Sequence, residues 1–88
     1  MTASQRYPRV TMYSTTWCGD CRRSKRLLDA HNVPYDEINI DHSQDAMREV
    51  MRINNGFRSV PTIIIDGGPT LVEPSDRELA RALGINPV

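Results

Sequence analysis

Short apolar, β-branched stretches alternate along this chain with segments in which apolar residues recur at helical spacing. Residues 7–14 carry β-branched and aromatic side chains and predict a first strand. In the next segment leucines recur at helical spacing, which predicts a helix over residues 18–30. Pro34 excludes further helix, and residues 35–41 predict a short second strand. Such a unit is typical of parallel strands joined by a right-handed crossover.

The second half of the chain repeats the pattern and then adds a hairpin. Residues 43–54 predict a second helix. Residues 60–65 are almost continuously β-branched, and a glycine turn separates them from residues 70–72, so these two strands are expected to pair as a hairpin. A last helix is predicted to begin at Ser75, a good N-cap, and to end at Gly84.

This order of elements predicts one α/β domain over residues 1–88. At 88 residues, two separate cores would each be too small to offset the entropy of the chain. No linker or repeat interrupts the pattern, and residues 1–6 and 85–88 are expected to be loose.

Charge and hydropathy exclude several classes of function. Eleven Lys and Arg residues balance eleven Asp and Glu residues, so no net field favours nucleic acid or an anionic membrane. The longest apolar run, residues 60–65, is far shorter than the ~20 residues of a membrane span, and no apolar segment follows Met1. We therefore expect a cytoplasmic monomer that has neither nucleic acid nor membrane as a partner.

The two cysteines, Cys18 and Cys21, follow the first predicted strand and open the first predicted helix. The unpaired N–H groups and the positive dipole end of a helix stabilise thiolate, so we expect a lowered pKa for Cys18 and a role as an exposed nucleophile. Their spacing places Cys21 one turn further on, within disulfide reach, where it can resolve a mixed disulfide. The loop that this bridge closes is too short to constrain the unfolded chain, so a purely structural disulfide is a poor explanation.

The residues around the cysteines also suit an accessible redox site. We expect Trp17, Gly19 and Asp20 to belong to the substrate-binding surface. Trp17 lies either on the exposed rim or in contact with a partner, and Gly19 leaves the approach to the nucleophile open. Asp20 suits a helix N-terminus but opposes a nearby thiolate, so its charge tempers the acidity of the thiol. Three basic residues of the predicted helix add positive charge nearby.

A zinc half-site is another interpretation of the cysteine pair. Two thiolates would need two further ligands, and the two histidines, His31 and His42, have no paired metal spacing. Redox chemistry is therefore favoured over metal binding, and we expect no tightly bound cofactor.

The Cys-x-x-Cys motif, together with Ser59-Val60-Pro61 before a later strand, resembles the thioredoxin superfamily and specifically the glutaredoxin family, over residues 9–83. The resemblance implies a thioredoxin-like βαβαββα fold with a four-stranded mixed sheet flanked by helices. It also implies that Pro61 is cis and lies against the cysteines, which leaves the Val60 backbone free to pair with an extended substrate. Arg58 is expected to meet an anionic substrate beside Val60.

Within this family, the residues between the cysteines differ from the Pro-Tyr of the glutathione-linked enzymes. Those enzymes also carry a Gly-Gly turn and an Asp that clamp the γ-glutamyl end of glutathione, whereas this chain has Glu73-Pro74 before Ser75 and Asp76. A glutamate at this turn would repel a ligand carboxylate. The motifs are more similar to those of mycoredoxins, which reduce mixed disulfides with mycothiol, and Ser75 and Asp76 are then expected to contact the small thiol.

The resemblance implies mixed-disulfide proteins as substrates and a low-molecular-weight thiol, mycothiol or similar, as co-substrate. One alternative is a redoxin that takes electrons from thioredoxin reductase and donates them to ribonucleotide reductase, although the Trp-Ser-Gly-Phe-Arg-Pro signature of those proteins is absent. The other is a zinc or iron–sulfur binding module. Glutaredoxins of that kind have Ser in place of the second cysteine, where this chain has Cys21.

Overall fold

The computed structural model describes residues 7–85, and its first strand, β1, spans Val10–Ser14. Alternate residues of β1 are buried, because successive side chains of a strand point to opposite faces of the sheet. The strand begins later than residue 7, where it was predicted to start. Pro8 lies in the missing part and has no N–H with which to join a ladder.

The first helix, α1, spans Gly19–Ala30. Cys18, predicted as its first residue, is instead its N-cap, with an extended backbone at φ −133° and ψ 103°. One face of α1 is buried against the sheet, and its buried residues are Cys21, Ser24 and Leu28. The β1–α1 junction therefore carries the cysteines, as predicted.

The second strand, β2, spans Asp36–Asn39 and is shorter than predicted. The residues that follow, Ile40–His42, form a 3₁₀ turn rather than the end of the strand. The Asn39 side chain accepts a hydrogen bond from the Asp41 N–H at 2.8 Å and so caps this turn. Ile40 is buried in a cluster with residues of the following helix, which explains why an apolar residue there suggested a strand.

The second helix, α2, spans Gln44–Ile53, and the hairpin strands β3 and β4 span Thr62–Ile65 and Thr70–Val72. The Ser43 hydroxyl caps α2 by accepting the Ala46 N–H at 3.1 Å. The predicted third strand included residues 60 and 61, but both precede β3 and form a loop.

The last helix, α3, spans Asp76–Leu83 and has the predicted boundaries. Ser75 and Glu78 form a capping box at its start, in which each side chain accepts the other residue's backbone N–H. Gly84 ends the helix in the left-handed conformation at φ 71°.

The strands form one mixed sheet in the order β2-β1-β3-β4. β1 is parallel to β2 and antiparallel to β3, and β3 and β4 form the predicted antiparallel hairpin. The predicted βαβαββα order is confirmed. β1 therefore lies in the middle of the sheet, and its carboxyl end leads directly to the cysteines.

Two groups of buried side chains hold the helices on the sheet. The main cluster packs α1 and α3 against the strands and includes both cysteines, together with Met12, Leu28 and Leu79. A smaller cluster around Val50 holds α2. Within residues 7–85, no helix is long and apolar enough to cross a membrane.

The carboxyl-terminal tail was predicted to be loose from residue 85. Ile85 donates its backbone N–H to the Ala80 carbonyl oxygen at 2.8 Å and packs against the main cluster. The rest of the predicted loose termini, residues 1–6 and 86–88, lie outside the described residues.

Candidate active site

Cys18 and Cys21 are joined by a disulfide, with their Cα atoms 5.2 Å apart. The backbone N–H of Cys21 donates to the Cys18 sulfur at 3.0 Å, so the N-terminus of α1 directs a donor at this atom. Cys18 was expected to be exposed, but only 9% of it is, and Cys21 is 1% exposed. Both residues belong to the main core cluster, because packing of α1 on the sheet covers its first turn. Only a small part of Cys18 is open to a substrate.

Side chains from the end of β2 hold the loop that precedes the cysteines. The Thr16 N–H donates to Asp41 at 3.3 Å, and the Asn39 amide donates to the Thr16 hydroxyl at 3.1 Å. The sequence prediction did not assign these positioning roles. The sequence did carry a signal for these roles, an Asn and an Asp at the carboxyl end of the strand next to β1. Sites in α/β folds form at this edge of the sheet.

Trp17 lies next to this held loop and is 86% exposed, as predicted for the rim. Phe57, in the loop after α2, is 71% exposed and was not singled out from the sequence. Arg58 follows it and is exposed as well. Trp17 therefore exposes an apolar side chain directly before Cys18, and Phe57 and Arg58 give the loop before Val60 apolar and cationic character.

The Val60–Pro61 peptide bond is cis, as the resemblance implied. Pro61 is buried, and Val60 is half-buried against the cluster that contains both cysteines. The Pro61 carbonyl oxygen accepts the Glu73 N–H at 2.8 Å, which joins this loop to the segment before α3. The cis-proline loop and the segment before α3 are therefore held together.

Arg23 connects the cysteine motif to the start of α3. Its guanidinium lies 3.3 Å from the Asp20 carboxylate and 3.6 Å from that of Asp76, and it donates to the Pro74 carbonyl oxygen at 3.4 Å. The structure thus brings together Asp20 and Asp76, two residues predicted for the site. From the sequence, Arg23 was only one of several nearby positive charges.

At the start of α3, Ser75 and Glu78 bond to each other's backbone N–H groups. The Ser75 N–H donates to the Glu78 carboxylate at 2.8 Å, and the Ser75 hydroxyl accepts the Glu78 N–H at 3.1 Å. The hydrogen bond from the Ser75 N–H, with a smaller contribution from its hydroxyl, lowers the pKa of the Glu78 carboxyl. Neither of these backbone donors is directed at an incoming ligand.

A charged pair supports the other side of α1. Lys25 contacts both carboxylate oxygens of Glu37, at 3.1 and 3.3 Å, and the buried Ser14 hydroxyl donates to Glu37 at 2.8 Å. Burial alone would raise the pKa of the Glu37 carboxyl, but the hydrogen bonds from Ser14 and Lys25 and the Lys25 charge outweigh it and lower the pKa. Ser14 ends β1 and Glu37 lies on β2. These contacts therefore tie α1 to the two strands that it connects along the chain.

A cavity of about 260 Å³ lies at the amino ends of β1 and β2, away from the cysteines that follow the carboxyl end of β1, and Tyr7, Pro34 and Tyr35 line it. Within residues 7–85, no three His, Cys, Asp or Glu residues are grouped closely enough to bind a metal ion.

The sequence profile described as Glutaredoxin matches residues 10–69, more than half of the chain and all of the segment from β1 through the cis-proline loop. The chain belongs to the glutaredoxin family. It is a thiol–disulfide oxidoreductase with a thioredoxin-like fold, as the sequence predicted.

Individual relatives agree with this glutaredoxin assignment. A protein named as a glutaredoxin from Mycobacterium tuberculosis is 42% identical over 74 residues, which are 84% of this chain and 88% of that protein. Mycoredoxin 1 of Corynebacterium glutamicum is 36% identical over 70 residues, 80% of this chain and 86% of that protein. A glutaredoxin-like protein NrdH of Lactococcus lactis is 39% identical over 57 residues, 65% of this chain and 76% of that protein.

Among solved structures, a glutaredoxin from Methanosarcina mazei superimposes with a TM-score of 0.75 and is 30% identical. The match covers 89% of this chain and 80% of that structure. The shared fold therefore extends beyond the residues of the profile match.

Proposed function

We propose that this glutaredoxin reduces mixed disulfides between proteins and a small thiol of the mycothiol type, with Cys18 as nucleophile and Cys21 as resolving thiol. The observation that carries the assignment of roles is the difference between the two sulfurs. Cys18 caps α1 and receives the Cys21 N–H, whereas Cys21 is 1% exposed. A donor directed at the Cys18 sulfur favours its thiolate, which is the attacking species in disulfide exchange.

The reaction needs no electrons beyond those of the thiols. The Cys18 thiolate attacks the sulfur of the small thiol in the mixed disulfide, and the protein sulfur leaves as a thiolate that takes a proton from water. A second small thiol can then attack the new mixed disulfide and release Cys18, with formation of a small-thiol disulfide. In the other route, Cys21 attacks the Cys18 sulfur, expels the small thiol and forms the Cys18–Cys21 disulfide.

The residues before α3 favour, as co-substrate, a small thiol that has no carboxylate at the end far from its sulfur. The Ser75 and Glu78 N–H groups are both used in the capping box, so no donor of this pair is free for a carboxylate. Glu73 adds an exposed negative charge, and Asp76 is already paired with Arg23. A zwitterionic γ-glutamyl group would meet repulsion and occupied partners here, whereas a neutral, hydroxyl-rich group would not.

The surface around the cis-proline supports an extended protein segment as the other half of the substrate. Val60 packs beside the cysteine cluster, the exposed Phe57 and Arg58 precede it in the same loop, and the exposed Trp17 precedes Cys18. We propose that the Val60 backbone pairs with the substrate chain and that Arg58 contacts its anionic groups. Gly19 leaves this approach open, because a Cβ built there would meet no atom within 4 Å.

The test compares one model protein carrying either mycothiol or glutathione as a mixed disulfide, each assayed with its own small thiol and reductase. The wild type should act faster on the mycothiol adduct. Cys21→Ser should retain activity through the small-thiol route, and Cys18→Ser should lose it, because Cys18 is the proposed nucleophile. Equal or faster turnover of the glutathione adduct would overturn the choice of thiol.

The second candidate is a dithiol redoxin reduced by thioredoxin reductase, which the disulfide within the site and the NrdH relative favour. Loss of all mixed-disulfide activity in Cys21→Ser, with reduction of the wild type by thioredoxin reductase, would establish this route instead. Metal analysis and an absorption spectrum of anaerobically purified protein test a zinc or iron–sulfur module.

A further inference from the structure

Ser24 carries a buried hydroxyl on the face of α1 that also contains Cys21. The residue is 1% exposed, and among residues 7–85 its Oγ has no hydrogen-bond partner. A buried hydroxyl without a partner is unfavourable, and native structures keep few of them. The redox chemistry described above gives this hydroxyl no role, so it calls for an explanation.

The geometry of the helix directs Ser24 toward Cys21. Residues three apart on a helix are neighbours, with Cβ atoms about 5–6 Å apart. Each Cα–Cβ bond tilts toward the helix N-terminus, so the Ser24 side chain lies over the turn that contains Cys21. Leu28 lies one turn further along the same face, and its apolar side chain offers no acceptor.

The acceptor that Ser24 lacks in the disulfide form is generated by reduction. In the structure the Cys21 sulfur is bonded to Cys18, and this bond holds it out of hydrogen-bond geometry with the Ser24 hydroxyl. Once reduced, Cys21 carries a thiol or a thiolate at the same turn, and a thiolate accepts charge-assisted hydrogen bonds.

We propose that Ser24 is a positioning residue for Cys21, donating a hydrogen bond to its sulfur in the reduced protein and losing that bond when the disulfide forms. In the resolving step the Cys21 thiolate attacks the Cys18 sulfur, and the bond from Cys18 to the bound thiol breaks. The expelled thiol leaves as a thiolate and is protonated by water, so the exchange is balanced by the mixed disulfide itself. The hydroxyl aligns the attacking thiolate and stabilises the reduced pair relative to the disulfide.

The first test measures the equilibrium of the cysteine pair in buffers of reduced and oxidised dithiothreitol. Ser24→Ala should shift the equilibrium toward the disulfide by about three- to tenfold, which is about 15 to 30 mV toward a more negative potential. Ser24→Thr, which keeps a hydroxyl, should retain the wild-type equilibrium. An unchanged equilibrium in Ser24→Ala, or an equal shift in both variants, would overturn the proposal.

The second test separates positioning from a structural role. The melting temperature of oxidised Ser24→Ala should not fall, because the hydroxyl has no partner in that form. In a Cys21→Ser background there is no sulfur to position, so adding Ser24→Ala should change the rate of the Cys18 reaction less than twofold. A larger loss there would assign Ser24 a structural role and overturn the proposal.

This inference rests on the cysteine pair being redox-active and not on which small thiol is used. If mycothiol were the wrong co-substrate, turnover of the mycothiol adduct would be lost while the dithiothreitol equilibrium and its response to Ser24→Ala remained. The two proposals can therefore fail independently.

Discussion

The Arg23 guanidinium on α1 lies 3.6 Å from the Asp76 carboxylate at the start of α3, and the same group reaches Asp20 between the cysteines. A residue of the redox motif and a residue of the proposed small-thiol surface thus share one cation. Both ion pairs are roughly half exposed, so their contribution to stability is small. Their expected effect is on ligand binding, because a carboxylate that is paired with Arg23 is less available to a ligand.

Removing Arg23 should change the preference for the small thiol. Arg23→Gln frees the Asp76 carboxylate to accept an ammonium group, so kcat/KM for a glutathione adduct relative to a mycothiol adduct should rise by up to about fivefold. The ratio is the useful measurement, because loss of a positive charge near Cys18 affects both substrates alike. The free energy of unfolding should fall by less than about 1 kcal/mol.

Arg22→Gln is the matched control for this experiment. Arg22 is an exposed arginine on the same helix. Its substitution removes the same charge but leaves the contact between Arg23 and Asp76 in place. A similar change in the ratio for both variants would show that net charge, and not release of Asp76, is responsible. Combining Arg23→Gln with Asp76→Asn should cancel the gain.

The Glu37 pair should make stability depend on pH. The folded protein lowers the pKa of this carboxyl from 4.5, so its stabilising effect is present above that value and is lost as the pH falls through the folded pKa. Glu37→Gln should therefore be less stable than the wild type at pH 7, and the difference should shrink as the pH falls below the usual pKa range of a glutamate carboxyl. Urea unfolding at several pH values measures this difference.

Asp66→Asn serves as the comparison for Glu37→Gln, because Asp66 is exposed in the turn between β3 and β4. Its stability difference from the wild type should stay nearly constant over the same pH range. If the Glu37→Gln difference were equally constant, the ion pair with Lys25 would not be the source of the pH dependence.

Two glycines should respond differently to the same substitution. A Cβ at Gly84 or at Gly19 would meet no atom within 4 Å, but only Gly84 has a positive φ, 71°. Gly84→Ala should therefore destabilise the protein by about 1–2 kcal/mol, the cost of a left-handed conformation for an L-residue. Gly19→Ala, in the first turn of α1, should be neutral or slightly stabilising, since Ala is the better helix former. Urea unfolding of both variants checks the contrast, and an equal loss in both would contradict it.

The placement of the cysteines could be predicted from sequence patterns alone. A strand pattern, a cysteine pair and a helix pattern occur in direct succession, so local preferences alone predicted the junction and the reach between the sulfurs. The 3₁₀ turn at Ile40–His42 was missed because burial by α2 selects an apolar residue there just as a strand would. Propensity does not separate those two causes of burial.

The sequence by itself determined the order of the elements, the hairpin, the capping box and the redox motif, because each depends on residues close together along the chain. Only the tertiary structure decided that β1 lies inside the sheet, that Cys18 is nearly covered, and that Arg23 joins Asp20 to the start of α3. Arg23 and Pro74 are 51 positions apart, and no local pattern records such a contact. It exists because packing of α1 and α3 on the same sheet brings their first turns together.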